Sequence, residues 1–354
     1  LLFSFVLLAD AGLLAIAWFD DDWPKLHLVA GTAVFALLAA WTAGHLTAPL
    51  LPWALAFYLL HAALHTAFPL LLERHRPAAA PTWWSQLFPP LALVLMLFPL
   101  FKLGELSLIF WPCVLLVALL AIGLALLTAS LAAVGAVLVL TLIATGVWIF
   151  RVPAAVGAAP SLLLVIGGFA VLFFAAGIFL ARKLGERFAT AADSHPFLAG
   201  LGDPRAQIPA LSALLPFILL IMMTARLSLA NPSPVFGLAL LLVVLVLGLA
   251  AIIESEWLPA CALAGVAGLE YSWHARHFAA DSAAIPLAWF LGFHAIFAAY
   301  PFVFRRRFAG CTGPWAVAAL GGVLQFPLVY RLVSTAWPND FPGVLPALFA
   351  VPPL

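Results

Sequence analysis

The chain has 354 residues, of which 66% are apolar and only 8% are Asp, Glu, Lys or Arg, with a net charge of +1 and a mean hydropathy of +1.18. Soluble domains run near half apolar and a quarter charged, and a chain of this size cannot hide such an excess from water. A soluble enzyme, a secreted disulfide scaffold, a disordered tail and a basic nucleic-acid binder are excluded, and membrane lipids are the expected surroundings.

A spanning helix needs about 20 mostly apolar residues. In chain order that length predicts spans over Leu1–Phe19, Leu26–Ala48, Leu50–Leu72, Leu87–Leu103, Leu106–Leu126 and Leu131–Phe150. They continue over Ser161–Ala181, Pro209–Leu229, Val235–Ile253, Leu258–Trp273, Ile285–Phe304 and Pro314–Val333, and a thirteenth opens near Phe341. The expected fold is therefore an all-α polytopic bundle of 12–13 transmembrane helices. Unbroken Leu- and Ala-rich runs exclude a barrel of alternating strands. In span 12, Gly321-Gly322, Gln325 and Pro327 predict a broken helix. The longest connection, 182–208, is charged and is expected to lie on the membrane surface. Leu1 stands where an initiator Met would, and the chain stops inside an apolar stretch, so a piece of a longer polytopic protein is expected.

Lys and Arg counted on alternate sides of these spans give an orientation. Lys25, Arg74, Arg76, Arg182, Lys183, Arg187, Arg205, Arg305, Arg306 and Arg307 fall on one side, and Lys102, Arg151, Arg226, Arg276 and Arg331 on the other. The richer side is predicted to be cytoplasmic. Ala67-Phe68-Pro69 through Arg76 aligns without a gap with Ala299-Tyr300-Pro301 through Phe308, and the same offset of 232 carries Trp83 onto Trp315. This predicts a parallel internal repeat: residues 1–128 (spans 1–5) and 235–354 (spans 9–13), with 129–234 between them.

Ionisable and strongly polar groups inside a bilayer are costly and therefore informative. Asp10 lies near the centre of span 1, Glu270 in the last turn of the short span 10, Arg331 in the final turns of span 12 and Gln325 deeper in that helix. His61 and His65 lie four apart on span 3, so they share a helix face, and His294 falls near the equivalent place in the second copy. These seven residues form the candidate polar pathway. His61 and His65 have the spacing of a helical metal site or a proton relay, but span 3 supplies no carboxylate at a companion spacing, so no metal is assigned. Arg305, Arg306 and Arg307 are candidates for lipid headgroup contact. Trp83, Trp84, Trp257, Trp315 and Trp337 have the places of interfacial anchors. The acidic turn Asp20-Asp21-Asp22 is read as a solvated interface turn, and Cys113, Cys261 and Cys311 as apolar fillers. No phosphate loop, nucleophile elbow or paired His-Glu zinc motif occurs, so neither catalytic residues nor a cofactor are assigned.

The opening Ala11-Gly12-Leu13-Leu14-Ala15-Ile16-Ala17-Trp18-Phe19, the acidic turn after it, and the Phe/Tyr-Pro helix ends followed by Arg, including Gln325-Phe326-Pro327-Leu328-Val329-Tyr330-Arg331, resemble the bacterial multi-pass membrane family catalogued as domain of unknown function 2339. The resemblance implies a long, many-spanning bacterial inner-membrane protein and carries no activity or site residues with it. Three functions are open from the residues: a secondary transporter or flippase-like protein for a small or lipid-like substrate, a scaffolding component of the cell envelope, and a membrane enzyme acting on lipid-linked envelope precursors.

Overall fold

The computed structural model describes residues 2–20, 26–75, 82–103, 108–152, 158–192, 204–308 and 310–338. Among them every regular element is helical: α1 (Leu2–Phe19), α2 (Leu26–His45), α3 (Leu51–His75), α4 (Phe88–Lys102), α5 (Phe110–Thr128), α6 (Ala132–Arg151) and α7 (Ala159–Ala192), then α8 (Pro204–Leu214), α9 (Pro216–Arg226), α10 (Ser233–Ile253), α11 (Leu258–His277), α12 (Ala284–Val303) and α13 (Gly313–Ala336). Among the described residues ten apolar stretches are long enough to cross a membrane, so the protein is a multi-pass membrane protein. In lipid every backbone group must be paired internally, and a helix achieves this within one segment. Leu8, Leu164, Val244 and Val323 are each more than half exposed on the helix flanks, an arrangement that suits hydrocarbon and not water.

The twelve complete spans expected from the sequence each meet a helix here, but α1 and α11, at spans 1 and 10, are not among those ten; three further revisions follow, and the thirteenth span lies outside the described residues. Helix α7 runs through Arg182 and Lys183 to Ala192, and α8 begins at Pro204, so helix occupies most of the connection expected over 182–208. The reason is local: Ala181 to Ala192 is rich in Ala, Arg, Lys, Leu and Glu and contains no proline, and these are the strong helix formers. Span 8 is two helices meeting at Leu215, because Pro216 has no N–H to continue the ladder. The break expected in span 12 is absent: α13 carries Pro327 within one continuous helix. The Leu324 carbonyl in the turn before that proline accepts a hydrogen bond from Tyr271 Oη at 2.7 Å.

The chain divides into two compact units, residues 1–151 with 179–200, and residues 152–178 with 201–354. The block expected over 129–234 is thus shared between them, α6 joining the first and α8–α9 the second. In the first unit α4 is central, packed on α2, α3, α5 and α6; in the second, α11 packs on α9, α10 and α13. Basic side chains tie helix ends together inside each unit. Lys102 Nζ donates to the Thr42 and Ala43 carbonyls at the end of α2, and Arg151 to the Phe101 carbonyl at the end of α4. Arg276 likewise reaches the Ala225 carbonyl of α9, and Arg307 the Ala251 carbonyl of α10. A cation at a helix C-terminus satisfies orphan carbonyls and opposes the negative dipole end. Each pair joins residues that the Lys/Arg count places on one side.

Candidate functional site

In the first unit, α1 is fastened to α3 along its length. Phe3 meets Phe57 at 4.6 Å between ring centroids, Leu14 and Ala17 pack with Phe68 and Leu72, and Trp18 stacks on His75 at 4.8 Å. These contacts advance together along both helices, so α1 and α3 run parallel, as alternate spans must. At the middle of the seam Asp10 is 1% exposed, and His61 and His65 are fully buried. His65 Nε2 lies 3.0 Å from Asp10 Oδ2, and His61 Nδ1 lies 3.3 Å from the same oxygen. One turn of helix thus aims two imidazoles at one carboxylate oxygen.

Two further helices close the cluster. The His65 ring stacks on Phe88 of α4 at 5.0 Å, and α2 approaches through Gly31. A Cβ at residue 31 would stand 2.5 Å from Phe88 Cε1 and 3.0 Å from His65 Nδ1, so glycine is required for this approach. Asp10 Oδ1, both ring nitrogens of His61, and His65 Nδ1 have no hydrogen-bond partner among the described residues. A buried polar atom left unpaired costs about 1–3 kcal/mol, more if charged. One turn before His61, on the same face, Tyr58 hydrogen-bonds Thr42 of α2. Tyr58, His61 and His65 stand at helical spacing, a polar stripe visible in the sequence once Tyr is counted as polar.

The second unit buries a different carboxylate. Glu270 on α11 and Gln325 on α13 are both fully buried. Gln325 Nε2 donates to Glu270 Oε2 at 3.0 Å and lies 3.2 Å from Oε1. His294 of α12 lies beside Gln325 and is half-buried. Beside this cluster Thr224 and Ser272 hydroxyls pair at 2.6 Å, and Trp273 Nε1 donates to the Leu229 carbonyl at 2.8 Å. Among the described residues neither Asp10 nor Glu270 has a Lys or Arg within salt-bridge distance, the two ion pairs being those of Asp10 with its histidines.

The seven residues expected to line one polar pathway therefore form two clusters, each within its own unit. Asp10, His61 and His65 make the first; Glu270, Gln325 and His294 make the second. Arg331 stands apart, exposed in the last turns of α13. Arg305 and Arg306 are exposed, whereas Arg307 binds the α10 terminus. Of the tryptophans expected as anchors, Trp83, Trp257, Trp315 and Trp337 are exposed, but Trp84 is 4% exposed and packs on His27. Asp21 and Asp22 of the acidic turn lie outside the described residues. No protein-family model, curated protein or solved structure matches this chain.

Proposed function

We propose that the protein is a secondary transporter in which the buried carboxylate of each unit takes up and releases a cation. The observation supporting this is that both units hold a carboxylate at the middle of a helix, away from any Lys or Arg among the described residues and held only by side chains that carry no fixed positive charge. A buried carboxylate that stays charged has to be paired or to coordinate a metal. One left among imidazoles and an amide suits an exchangeable cation instead, and ionisable groups at membrane depth commonly mark ion pathways. A scaffolding protein would have no need of two such costly groups. The resemblance stated from the sequence and the Lys/Arg count favour a bacterial cytoplasmic membrane as its location.

The test is ion flux in vesicles reconstituted with the purified protein, with a trapped pH dye in one set and a trapped divalent-metal dye in another. We expect wild-type vesicles to fill faster than empty ones with at least one of these ions, and Asp10→Asn and Glu270→Gln each to return the rate to that of empty vesicles. If wild-type vesicles carry neither ion faster than empty ones, the transporter reading falls and the scaffold reading replaces it.

A further inference from the structure

We infer that Asp10, His61 and His65 form a three-ligand site for a divalent transition metal of the zinc class, with one coordination position open. The inference deepens the transporter reading by naming the cation of the first unit, and it rests on that reading only for its purpose, not for its geometry.

The donor set decides the class of ion. One carboxylate oxygen and two imidazole nitrogens suit zinc and its neighbours, whereas calcium and magnesium require shells of oxygen. One ligand atom from each of the three residues can be chosen so that all lie within 4.8 Å of one another. Donors on tetrahedral zinc at about 2.0–2.1 Å stand roughly 3.3 Å apart. The two separations at Asp10 Oδ2, 3.0 and 3.3 Å, already have that size; the two imidazole donors lie within 4.8 Å of one another, and rotation about χ1 and χ2 brings them onto a common ion.

Burial supplies the second argument. All three side chains are out of contact with solvent, and Asp10 Oδ1, the second carboxylate oxygen, lacks a hydrogen-bond partner among the described residues. A divalent ion would engage this carboxylate more completely than the two His contacts to Oδ2 do. The framework is held on both sides of the site by the Phe3–Phe57 and Trp18–His75 contacts and on the flank by Phe88. Three protein ligands leave a fourth position for water or a passing ligand, the mark of an exchanging site and not of a closed structural one. The Glu270 cluster has one carboxylate, one amide and a half-buried histidine, and it lacks a second imidazole, so the same ion has no equivalent site there.

The experiment uses the full chain purified without a polyhistidine tag in detergent. It is loaded with Zn2+ or with Co2+ as a spectroscopic substitute, dialysed, and assayed for bound metal per chain and for the visible absorption of four-coordinate Co2+. We expect one tightly held ion per wild-type chain. Asp10→Asn, His61→Ala and His65→Ala should each weaken binding more than about 100-fold, since even outer-shell partners of metal ligands are worth 10–100-fold. Glu254→Gln, at an exposed carboxylate outside both clusters, should retain wild-type stoichiometry and spectrum. Any variant that misfolds is replaced by His61→Gln or His65→Gln, judged by gel filtration and thermal melting. No bound metal in the wild type, or binding that survives all three ligand substitutions, would overturn the inference. Metal bound without flux would remove the transporter reading and leave the site; flux of either ion with no cluster-dependent binding would do the reverse.

Discussion

At the scale of single residues, the cost of a buried polar group is set by the partner that packing brings to it. Asp10 and Glu270 stand out in any hydropathy profile, and His61 with His65 show by spacing that they share a face. No companion carboxylate appears in span 3 because the companion is on α1, 55 residues before His65 and buried against it. Only tertiary packing creates that pair, and local periodicity carries no sign of it. Gln325 is the clearest case of a residue whose worth depends on its neighbour. Its amide is the hydrogen-bond donor to the buried Glu270 carboxylate. Gln325→Leu should therefore cost about 1–3 kcal/mol or more by leaving that carboxylate without its donor. Glu270→Leu combined with Gln325→Leu removes both polar partners at similar volume and should recover most of the loss, since replacing a buried polar pair by apolar groups is often close to neutral. Thermal melting in detergent checks the order: the double variant should melt above Gln325→Leu alone, and a melting point below it would show that the pair stabilises the fold on balance.

At the scale of elements, helix positions followed from apolar length, while breaks and caps followed from backbone chemistry that hydropathy ignores. Pro216 and Pro327 look alike in a sequence, yet only Pro216 divides a helix; near Pro327 the Leu324 carbonyl finds Tyr271. The ends of α5 and α10 are set by Ala129 and Glu254 in the left-handed region, at φ 52° and 56°, where glycine is the usual occupant. A residue with a Cβ costs roughly 1–2 kcal/mol in that conformation. Ala129→Gly and Glu254→Gly should each therefore raise stability, by about 1 kcal/mol, read as a rise in melting temperature; a fall would mean that these side chains hold contacts worth more than the strain. The buried pairs also bear on the repeat. His65 follows Asp10 and Gln325 follows Glu270 by the same 55 residues, each from the first to the third of three consecutive helices. Phe68-Pro69 in α3 recurs as Phe326-Pro327 in α13. These spacings set α1–α3 beside α11–α13, whereas the 232-residue offset sets the end of α3 against the end of α12.

At the scale of the whole molecule, sidedness is a matter of which helix ends share a membrane face. The Lys/Arg count divides ten against five, from which the richer face is expected to be cytoplasmic. Within the first unit the hydrogen bonds of Lys102 and Arg151 gather the ends of α2, α4 and α6 on one face, opposite the end of α3 with Glu73 and Arg74. Within the second unit Arg307 joins the loop after α12 to the end of α10, and Gly313 N–H donates to Glu256 on the same face, while Arg276 joins α11 to α9 on the other. These ties were beyond the sequence, which places charges along the chain but not across it. They make sidedness a sharp expectation. In a background with Cys113, Cys261 and Cys311 replaced by alanine, single cysteines at Thr47 or Asn231 should react with an impermeant maleimide from outside intact cells. Cysteines at Glu73, Glu254 or Arg306, all exposed positions, should react only after the membrane is opened. If Glu73 and Thr47 label from the same side, α3 does not cross the membrane. Asp10, His61 and His65 would then lie at an interface and not at membrane depth, and the transport reading would lose its premise while the three-ligand geometry stood.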